Sequence, residues 1–355
     1  MGKVANRVLI LLFAAGALAA LGKVFIFGDV VTNLGSYTPW GLWVSMYIYL
    51  VGLSAGAAWT GLYVAWRQGG QPNRLTTISF IVSGVSLAFG LAFIGIDLGK
   101  PMDGIAIFLH PSFSSKLTIA SWLYGVFFIC LAGYFMSKTK TIFMYLAGII
   151  AAAFVLAEGL FFGGMVARTL WNGMLTPLAF FTSSITSGVA GVYLMTALSS
   201  QEILEEEGTG LQTVLVYGLL AHAIVELAHA IIGLAGLPSH AMVIKNLLLS
   251  WPFLGLFVVV GLAIPLTLIY RRKSGMQVLS TILILVGLAG YKYSFVRYGF
   301  SIEPLPQISA AFHHLRLSTS YVPSLVEFTV ALGFLSGGLL VAQFVINSFV
   351  TTKKA

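Results

Sequence analysis

The sequence contains ten long apolar segments, each close to the length that a helix needs to cross the hydrocarbon core of a membrane. A spanning helix takes roughly 20 mostly apolar residues. Only helices and closed barrels satisfy their backbone groups in lipid, and long unbroken apolar runs are typical of helices. We therefore predict an all-α, polytopic transmembrane protein with about ten helices. The predicted spans are Val8–Phe27, Gly41–Ala65, Leu75–Ile96, Ile119–Phe135, Phe143–Met165, Leu178–Leu198, Val214–Gly236, Leu247–Tyr270, Val278–Tyr293 and Val326–Phe349.

The composition excludes a water-soluble fold. Of the 355 residues, 58% are hydrophobic and 8% are charged, whereas a soluble domain carries about 25% charged residues. The formal net charge is +8, but the basic residues occur in short clusters between apolar segments. They therefore indicate membrane topology, and we predict no nucleic-acid binding. The single cysteine, Cys130, cannot form an internal disulfide, hold an iron–sulfur cluster or build a zinc site.

The basic clusters also predict the orientation. Cytoplasmic connections carry an excess of Lys and Arg, so we predict an inner-membrane protein with both termini in the cytoplasm. One connection on that side, Ser199–Thr213, carries four glutamates instead. Small residues at 14–20 resemble the end of a cleaved signal peptide, but the apolar run continues through Phe27, which favours a retained first helix. The basic residues on the cytoplasmic side are Lys3, Arg7, Arg67, Arg74, Lys138, Lys140, Arg271, Arg272, Lys273, Lys353 and Lys354.

A faint internal repeat relates two sets of segments. Residues 52–56 (Gly-Leu-Ser-Ala-Gly) resemble residues 184–188 (Ser-Ile-Thr-Ser-Gly), and similar pairs relate segment three to seven and four to eight, about 130 positions apart. We predict two similar four-helix bundles, formed by segments two to five (41–165) and six to nine (178–293). The first (8–27) and last (326–349) segments lie outside them. The small residues also permit close helix contacts, which is the alternative reason for their presence.

Ionisable residues are costly within a membrane, so their distribution is informative. Seven of the 11 acidic residues lie from the midplane outward in the predicted topology, as a polar site near the outer face would require. The alternative is that these charges cap helix ends or extend to the interface, and we favour it for Lys23, Asp29, Lys292 and Glu303. The seven acidic residues are Asp29, Asp97, Asp103, Glu158, Glu226, Glu303 and Glu327.

Two features lie deeper in the membrane. Glu158 is just past the midpoint of segment five, where a carboxylate can exchange protons, so we predict a functional role for it. His222, Glu226 and His229 share one face of segment seven because of their i, i+4, i+7 spacing, and we predict a proton path. A metal site is one alternative, although three ligands from one helix are geometrically poor. Histidines that are hydrogen-bonded within the bundle are another.

The sequence contains no sign of a bound redox centre. Axial haem ligands must face each other from different helices, but both histidines within predicted spans are on segment seven. No CxxC, CxxCH or dinucleotide-binding pattern in a strand–helix context is present. We predict no haem, iron–sulfur cluster or metal in this chain, so electrons would have to come from or go to a partner.

Several motifs resemble the NrfD/PsrC family, the membrane quinone-reactive subunits of respiratory oxidoreductases. Residues 97–101 (Asp-Leu-Gly-Lys-Pro) are similar to that family's Asp-Leu-Gly-Arg-Pro. Residues 110–122 resemble, in altered form, its Ser-Pro-Met-Ser-Trp-Gly element. Pro39–Trp43, Trp171-Asn172 followed by Pro177 and Ser187-Gly188, and Tyr321–Ser324 with Glu327 also match. The last motif is similar to the ten-helix branch, which includes HybB, DsrP and the alternative complex III subunits.

The resemblance implies a cofactor-free helical protein beside an iron–sulfur, ferredoxin-like subunit, with a catalytic or cytochrome subunit, on the outer side. It implies a quinone site, with menaquinone as the expected quinone, in the first bundle near the outer face. Asp97 would be the catalytic acid–base group there, and Glu158 is added to it because of its depth. The other residues predicted at the site are His110, Ser114, Lys116, Arg168, Trp171 and Asn172.

The sequence thus predicts a membrane subunit that binds quinone near the outer face and exchanges electrons with an iron–sulfur partner, with proton translocation as a possible coupled step. Two alternatives remain. A secondary transporter would also have two similar bundles with charges at mid-depth. A pure membrane anchor for a redox enzyme would need none of Asp97, Glu158 or Arg168.

Overall fold

The computed structural model describes residues 2–270, 274–303, 314 and 317–351, and the regular elements within them are helices. Ten of these helices are long and apolar enough to cross a membrane, which confirms the prediction. We label them α1 to α10: α1 Lys3–Gly22, α2 Leu42–Arg67, α3 Arg74–Asp97, α4 Lys116–Met136, α5 Lys140–Gly163, α6 Leu175–Ser199, α7 Gln201–Leu234, α8 Trp251–Ala263, α9 Ser274–Tyr298 and α10 Leu325–Ile346.

Several helices continue into irregular or short elements. A π-helical segment followed by a 3-10 turn extends α1 through Val31. Helix α8 is π-helical and continues as the α-helical segment Ile264–Tyr270. Short helices cross the connections that follow α3 (Pro101–Ile105 and Ala106–Leu109) and α7 (Pro238–Leu248). The basic residues at 271–273, 316, 353 and 354 lie outside the described residues, so the structure does not test the membrane side predicted from them.

Two predicted boundaries were wrong for a shared reason. The glutamate-rich stretch Ser199–Thr213 was predicted as a connection, but only Ser200 separates α6 from α7 and the glutamates form the first turns of α7. Arg67 lies 3.6 Å from Glu207 there. The ninth span, predicted to end at Tyr293, continues to Tyr298. Polar side chains end an apolar run, but they do not end a helix when other helices or water form hydrogen bonds or ion pairs with them.

Helices α2 and α6 are the most buried spans and pack against each other at the centre. The same neighbours recur on both sides of this contact. In the first set α2 packs on α3 and α5, and α4 packs on α5. In the second set α6 packs on α7 and α9, and α8 packs on α9. The outlying helices α1 and α10 pack against each other, with Gly16 against Gly333, and α10 also packs on α3.

The repeated motifs of the sequence meet at the central contact. A side chain at Gly56 would place its Cβ 1.8 Å from the carbonyl oxygen of Ser184, and one at Gly188 would place its Cβ 2.0 Å from the backbone of Gly56. Only glycine therefore allows α2 and α6 to approach so closely. Contact between equivalent positions is what two repeats related by an axis along the membrane normal would produce.

Candidate functional site

A cavity of about 840 Å³ lies between α3 and α4, with α2 behind it, at the ends of these helices that are predicted to be outer. Its walls are largely apolar, and α3 and α4 contact each other over only a short stretch. Gly95 and Gly125 line it, and a Cβ at either position would meet no atom within 4 Å. The connection after α3, including Lys100 and Phe108, covers its outer end.

Two tyrosines form the polar inner wall of this cavity. Tyr47 on α2 and Tyr124 on α4 both line it, and their hydroxyl oxygens are 2.8 Å apart. The Tyr124 hydroxyl donates a hydrogen bond to Oε1 of Glu158 on α5. A phenol has one hydroxyl hydrogen, so Tyr124 must accept from Tyr47. The three side chains form a directed chain of hydrogen bonds from the cavity to a buried carboxylate.

Glu158 lies at the inner end of this chain, in the interior of the protein. It is 4% exposed, and its second oxygen, Oε2, has no hydrogen-bond partner among the described residues. Lys292 on α9 interacts electrostatically with Glu158 and also with Glu226 in the second set of helices. Its ammonium group, which likewise has no hydrogen-bond partner among the described residues, lies 3.6 Å from the ring centroid of Phe180.

Asp97 lies at the end of α3 but is not among the residues that line the cavity. Its charge interacts with those of Lys23 and Asp29, which belong to the extension of α1, and with that of Glu327 on α10. Lys23 pairs with Asp29 at 3.0 Å and donates to the carbonyl oxygen of Ile96 at 2.5 Å. This polar cluster joins the ends of α1, α3 and α10. Lys23 caps the end of α3, which is a helix-end role of the kind that we favoured for it, and Asp29 pairs with Lys23.

The motif around Tyr321 and Glu327 is another structural tie. The Tyr321 hydroxyl donates to Glu327, whose other oxygen accepts from the backbone of Ser324 and of Asn33 at 2.8 and 3.1 Å. Trp43 donates to the Glu327 carbonyl oxygen. Burial, followed by the adjacent carboxylate, raises the pKa of Tyr321 well above its usual value. These bonds cap α10 and attach it to the start of α2.

Three predicted site residues lie on the surface of the connection between α3 and α4. His110, Ser114 and Lys116 are all exposed. Ser114 lies 3.0 Å from the hydroxyl of Ser112, and the Lys116 side chain lies against the backbone of Gly164. The structure does not place these three side chains in the cavity wall.

The residues predicted after α5 lie at the junction between the two sets of helices. Trp171 is 1% exposed, stacks on Trp40 with 5.8 Å between ring centroids, and donates from Nε1 to the Phe295 carbonyl oxygen at 2.8 Å. The guanidinium of Arg168 lies 4.6 Å from the centroid of Phe300, and burial lowers its pKa. Asn172 is exposed. These residues fix the connection rather than line the cavity.

The three predicted proton-path residues of α7 are buried on one face of that helix. Glu226 accepts a hydrogen bond of 2.7 Å from Tyr291 on α9. Nδ1 of His222 is 3.0 Å from the Thr182 hydroxyl, while its Nε2 is buried without a hydrogen-bond partner among the described residues. His229 is 7% exposed and interacts electrostatically with Glu226.

Sequence reasoning missed Tyr47, Tyr124 and Tyr291, and it favoured a helix-end role for Lys292. The chain has 14 tyrosines, and nothing in the local sequence distinguishes these three from the others. Lys292 is 2% exposed and lies between helices, so it does not extend to the interface. The available signal was its position in a span with aromatic residues on both sides, which makes a buried cation less costly.

Comparison with known proteins identifies clear relatives. Residues 30–302, which include α2 to α9, match the family described as NrfD, polysulphide reductase. The protein is 24% identical to the C subunit of selenate reductase from Mesobacillus selenatarsenatis, over 90% of its own length and 87% of that relative. It is 23% identical to the C chain of polysulfide reductase from Wolinella succinogenes, over 48% of its own length and 62% of that relative. Both relatives are named as components of reductases.

Proposed function

The chain belongs to the NrfD, polysulphide reductase, family of membrane proteins, and from this premise we propose that it is the quinone-reactive subunit of a multi-subunit respiratory oxidoreductase. The observation that supports the proposal best is the cavity between α3 and α4, in which apolar walls meet the Tyr47–Tyr124–Glu158 chain. Apolar pockets with a few convergent polar groups are typical ligand sites. A quinone ring needs this combination, and the expected quinone is menaquinone.

In the oxidation direction, a quinol enters from lipid through the gap between α3 and α4. One of its hydroxyl groups donates to the Tyr47 oxygen, within the reach that proton transfer requires. As the quinol loses two electrons, this proton passes to Tyr47. The hydroxyl proton of Tyr47 passes to Tyr124, and that of Tyr124 passes to Glu158. The second proton leaves at the outer end, where Asp97 adjoins the cavity-lining Leu98. Quinone reduction uses the same groups in reverse.

The two electrons leave through a partner, which we propose to be an iron–sulfur, ferredoxin-like subunit followed by a catalytic or cytochrome subunit. The predicted outer face offers a surface for it, because Phe113, Val166 and Met174 in two connections are 60%, 77% and 74% exposed. Large exposed apolar side chains outside the spans are typical of interaction sites. We propose that the exposed His110, Ser114, Lys116 and Asn172, together with Arg168, contribute polar contacts to this interface.

We also propose that His222, Glu226 and His229 conduct protons between the second set of helices and the cytoplasm. Their burial on one face of α7 and the link from Glu226 to Tyr291 support this role. This proton conduction can be measured as proton uptake by liposomes that contain the complex. Uptake that is unchanged in Glu226→Gln would contradict it.

The central test compares Tyr124→Phe and Glu158→Gln with the wild type in the purified complex. Each variant removes one member of the hydrogen-bond chain and keeps the shape of its side chain. We expect quinol turnover to fall by about 100-fold, the lower end of the contribution of general acid–base catalysis. Tyr134→Phe is the matched control, since Tyr134 is a buried tyrosine on α4 whose hydroxyl contacts Thr77 and not the cavity.

Turnover in the control variant and retention of the partner subunits distinguish the proposed function from a membrane anchor and from a transporter. Loss of turnover in Tyr124→Phe but not in Tyr134→Phe, with all subunits still bound, supports the proposed site. Full turnover in both Tyr124→Phe and Glu158→Gln would contradict it and favour a pure membrane anchor. A purified protein without redox partners that takes up a solute into liposomes would favour the transporter.

A further inference from the structure

A second cavity, of about 330 Å³, lies between α7 and α8. Part of its lining matches that of the first cavity when the helices are aligned at a fixed offset. The α3 positions 91, 94, 95 and 98 correspond to 223, 226, 227 and 230 on α7, each 132 residues further along. On α4 and α8, positions 124 and 128 correspond to 253 and 257, each 129 residues further along. The two cavities therefore occupy equivalent places in the two repeats.

The second cavity has its own carboxylate, but in a different position. Ile94 in the first cavity is replaced by Glu226 in the second, and Tyr124 is replaced by Phe253. In the first set, the tyrosine lines the cavity and the acid lies behind it. In the second set, the acid lines the cavity and its partner Tyr291 lies behind it on α9. Each cavity is thus bordered by one member of a hydrogen-bonded pair of a phenol and a buried glutamate, which is the phenol in the first cavity and the glutamate in the second.

The remaining walls suit a flat apolar ring that enters from lipid. Phe253 and Phe257 line the cavity with their rings 5.4 Å apart, and the ring of His222 lies 5.3 Å from that of Phe257. Direct contact between α7 and α8 is slight. Leu227, which lines the cavity, is 60% exposed on the surface that faces lipid. A ligand therefore has an opening from the bilayer, aromatic walls and one hydrogen-bond acceptor at the end.

We propose that this cavity is a second quinol-binding site, in which the head group lies between α7 and α8 and donates a hydroxyl hydrogen to Glu226. This inference rests on the proposed function, because it takes the first cavity as the pattern for the ligand. Lys292 interacts electrostatically with both Glu158 and Glu226, so the two sites share a buried cation. The proposal concerns binding and includes no electron transfer at the second site.

The test is photolabelling of the purified complex in nanodiscs with an azido-substituted naphthoquinol, followed by mass spectrometry of the labelled peptides. Ala230→Phe fills the second cavity, and Gly125→Phe fills the first, where its Cβ meets no atom. Ile224→Phe is the control, since Ile224 is on α7 but is 66% exposed on the lipid-facing surface. Glu226→Gln keeps the cavity open and weakens the acceptor.

We expect competable label on peptides of both α3–α4 and α7–α8. Ala230→Phe should reduce the α7–α8 label at least tenfold and leave the α3–α4 label, which also shows that the variant is folded. Gly125→Phe should do the reverse, and Ile224→Phe should change neither. Glu226→Gln should lower the affinity at α7–α8 by about tenfold, the value of one hydrogen bond to a charged group.

The two proposals fail in different ways. Label on α3–α4 alone overturns the second site and leaves the proposed function in place. Label on α7–α8 that excess unlabelled quinol does not displace, or that persists in Ala230→Phe, reflects collisions in lipid and also overturns the second site. Absence of competable label at both places overturns both proposals.

Discussion

Lys292 interacts electrostatically with both buried carboxylates, Glu158 and Glu226. An ammonium group that is 2% exposed and lacks a hydrogen-bond partner among the described residues is costly unless charges nearby compensate for it. Glu158, Glu226 and the face of Phe180 provide that compensation. The same interaction favours the ionised form of Glu158, the form that accepts a proton from quinol.

Replacement of this cation should therefore change the pH dependence of turnover. In Lys292→Met, the ionised form of Glu158 loses its positive neighbour, so the onset of quinol oxidation should move to higher pH. The pH profile of kcat/KM measures this. Lys292→Arg, which keeps the charge, is the matched control and should stay near the wild-type profile. An unshifted profile in Lys292→Met would contradict the electrostatic link.

Residue identity alone indicated several of the buried ionisable groups of the candidate site. Glu158, His222, Glu226 and His229 were recognised because ionisable groups are rare in apolar spans. The role of the Tyr124 phenol could not be predicted, because it depends on contacts with Tyr47, 77 positions away, and with Glu158, 34 positions away. Whether Asp97 faces the cavity depends on how α10 packs on α3 and on how the extension of α1 reaches the end of α3. Near a helix end, the sequence pattern does not show this.

At the level of helices, the contact between α2 and α6 should tolerate no added atoms. Gly56→Ala would place a methyl group 1.8 Å from the Ser184 carbonyl oxygen, so the backbones must separate. We expect a loss of about 1–3 kcal/mol in unfolding free energy, seen as a lower Tm of the detergent-solubilised complex. Gly338→Ala in α10 is the matched control, because its added Cβ makes only ordinary contacts with Phe89, at 3.6 Å or more. Equal Tm values for the two variants would contradict the close packing.

The helices themselves were largely predictable from hydropathy, because a run of about 20 apolar residues has few alternatives in lipid. The ends of the helices were harder to predict from hydropathy. The first turns of α7 contain Glu202 and Glu205–Glu207, which lie beyond the apolar run, yet the backbone there remains helical. The short helix Pro238–Leu248 was assigned partly to the eighth span. Both errors arise because hydropathy reports what surrounds a segment rather than its backbone conformation.

For the whole molecule, the consequences of quinol oxidation depend on which side of the membrane the first cavity faces. The connection after α3 covers one end of this cavity, and the distribution of basic residues predicts that this connection and the one after α5 face outward. Under the proposed function, a quinol oxidised there would release a proton on the outer side and pass its electrons to a partner on that side. If the orientation were reversed, the same chemistry would release the proton into the cytoplasm.

Single-cysteine labelling decides between these orientations. In a Cys130→Ser background, Met174→Cys places a thiol in the connection after α5, where Met174 is 74% exposed, and Gln201→Cys places one at the exposed start of α7. In right-side-out vesicles, a membrane-impermeant maleimide should modify the thiol at position 174 directly and the thiol at position 201 only after permeabilisation. The opposite pattern would move the partner interface and proton release to the cytoplasmic side. The hydrogen-bond chain would be unchanged, because it depends on contacts among α2, α4 and α5 and not on the direction in which they cross the membrane.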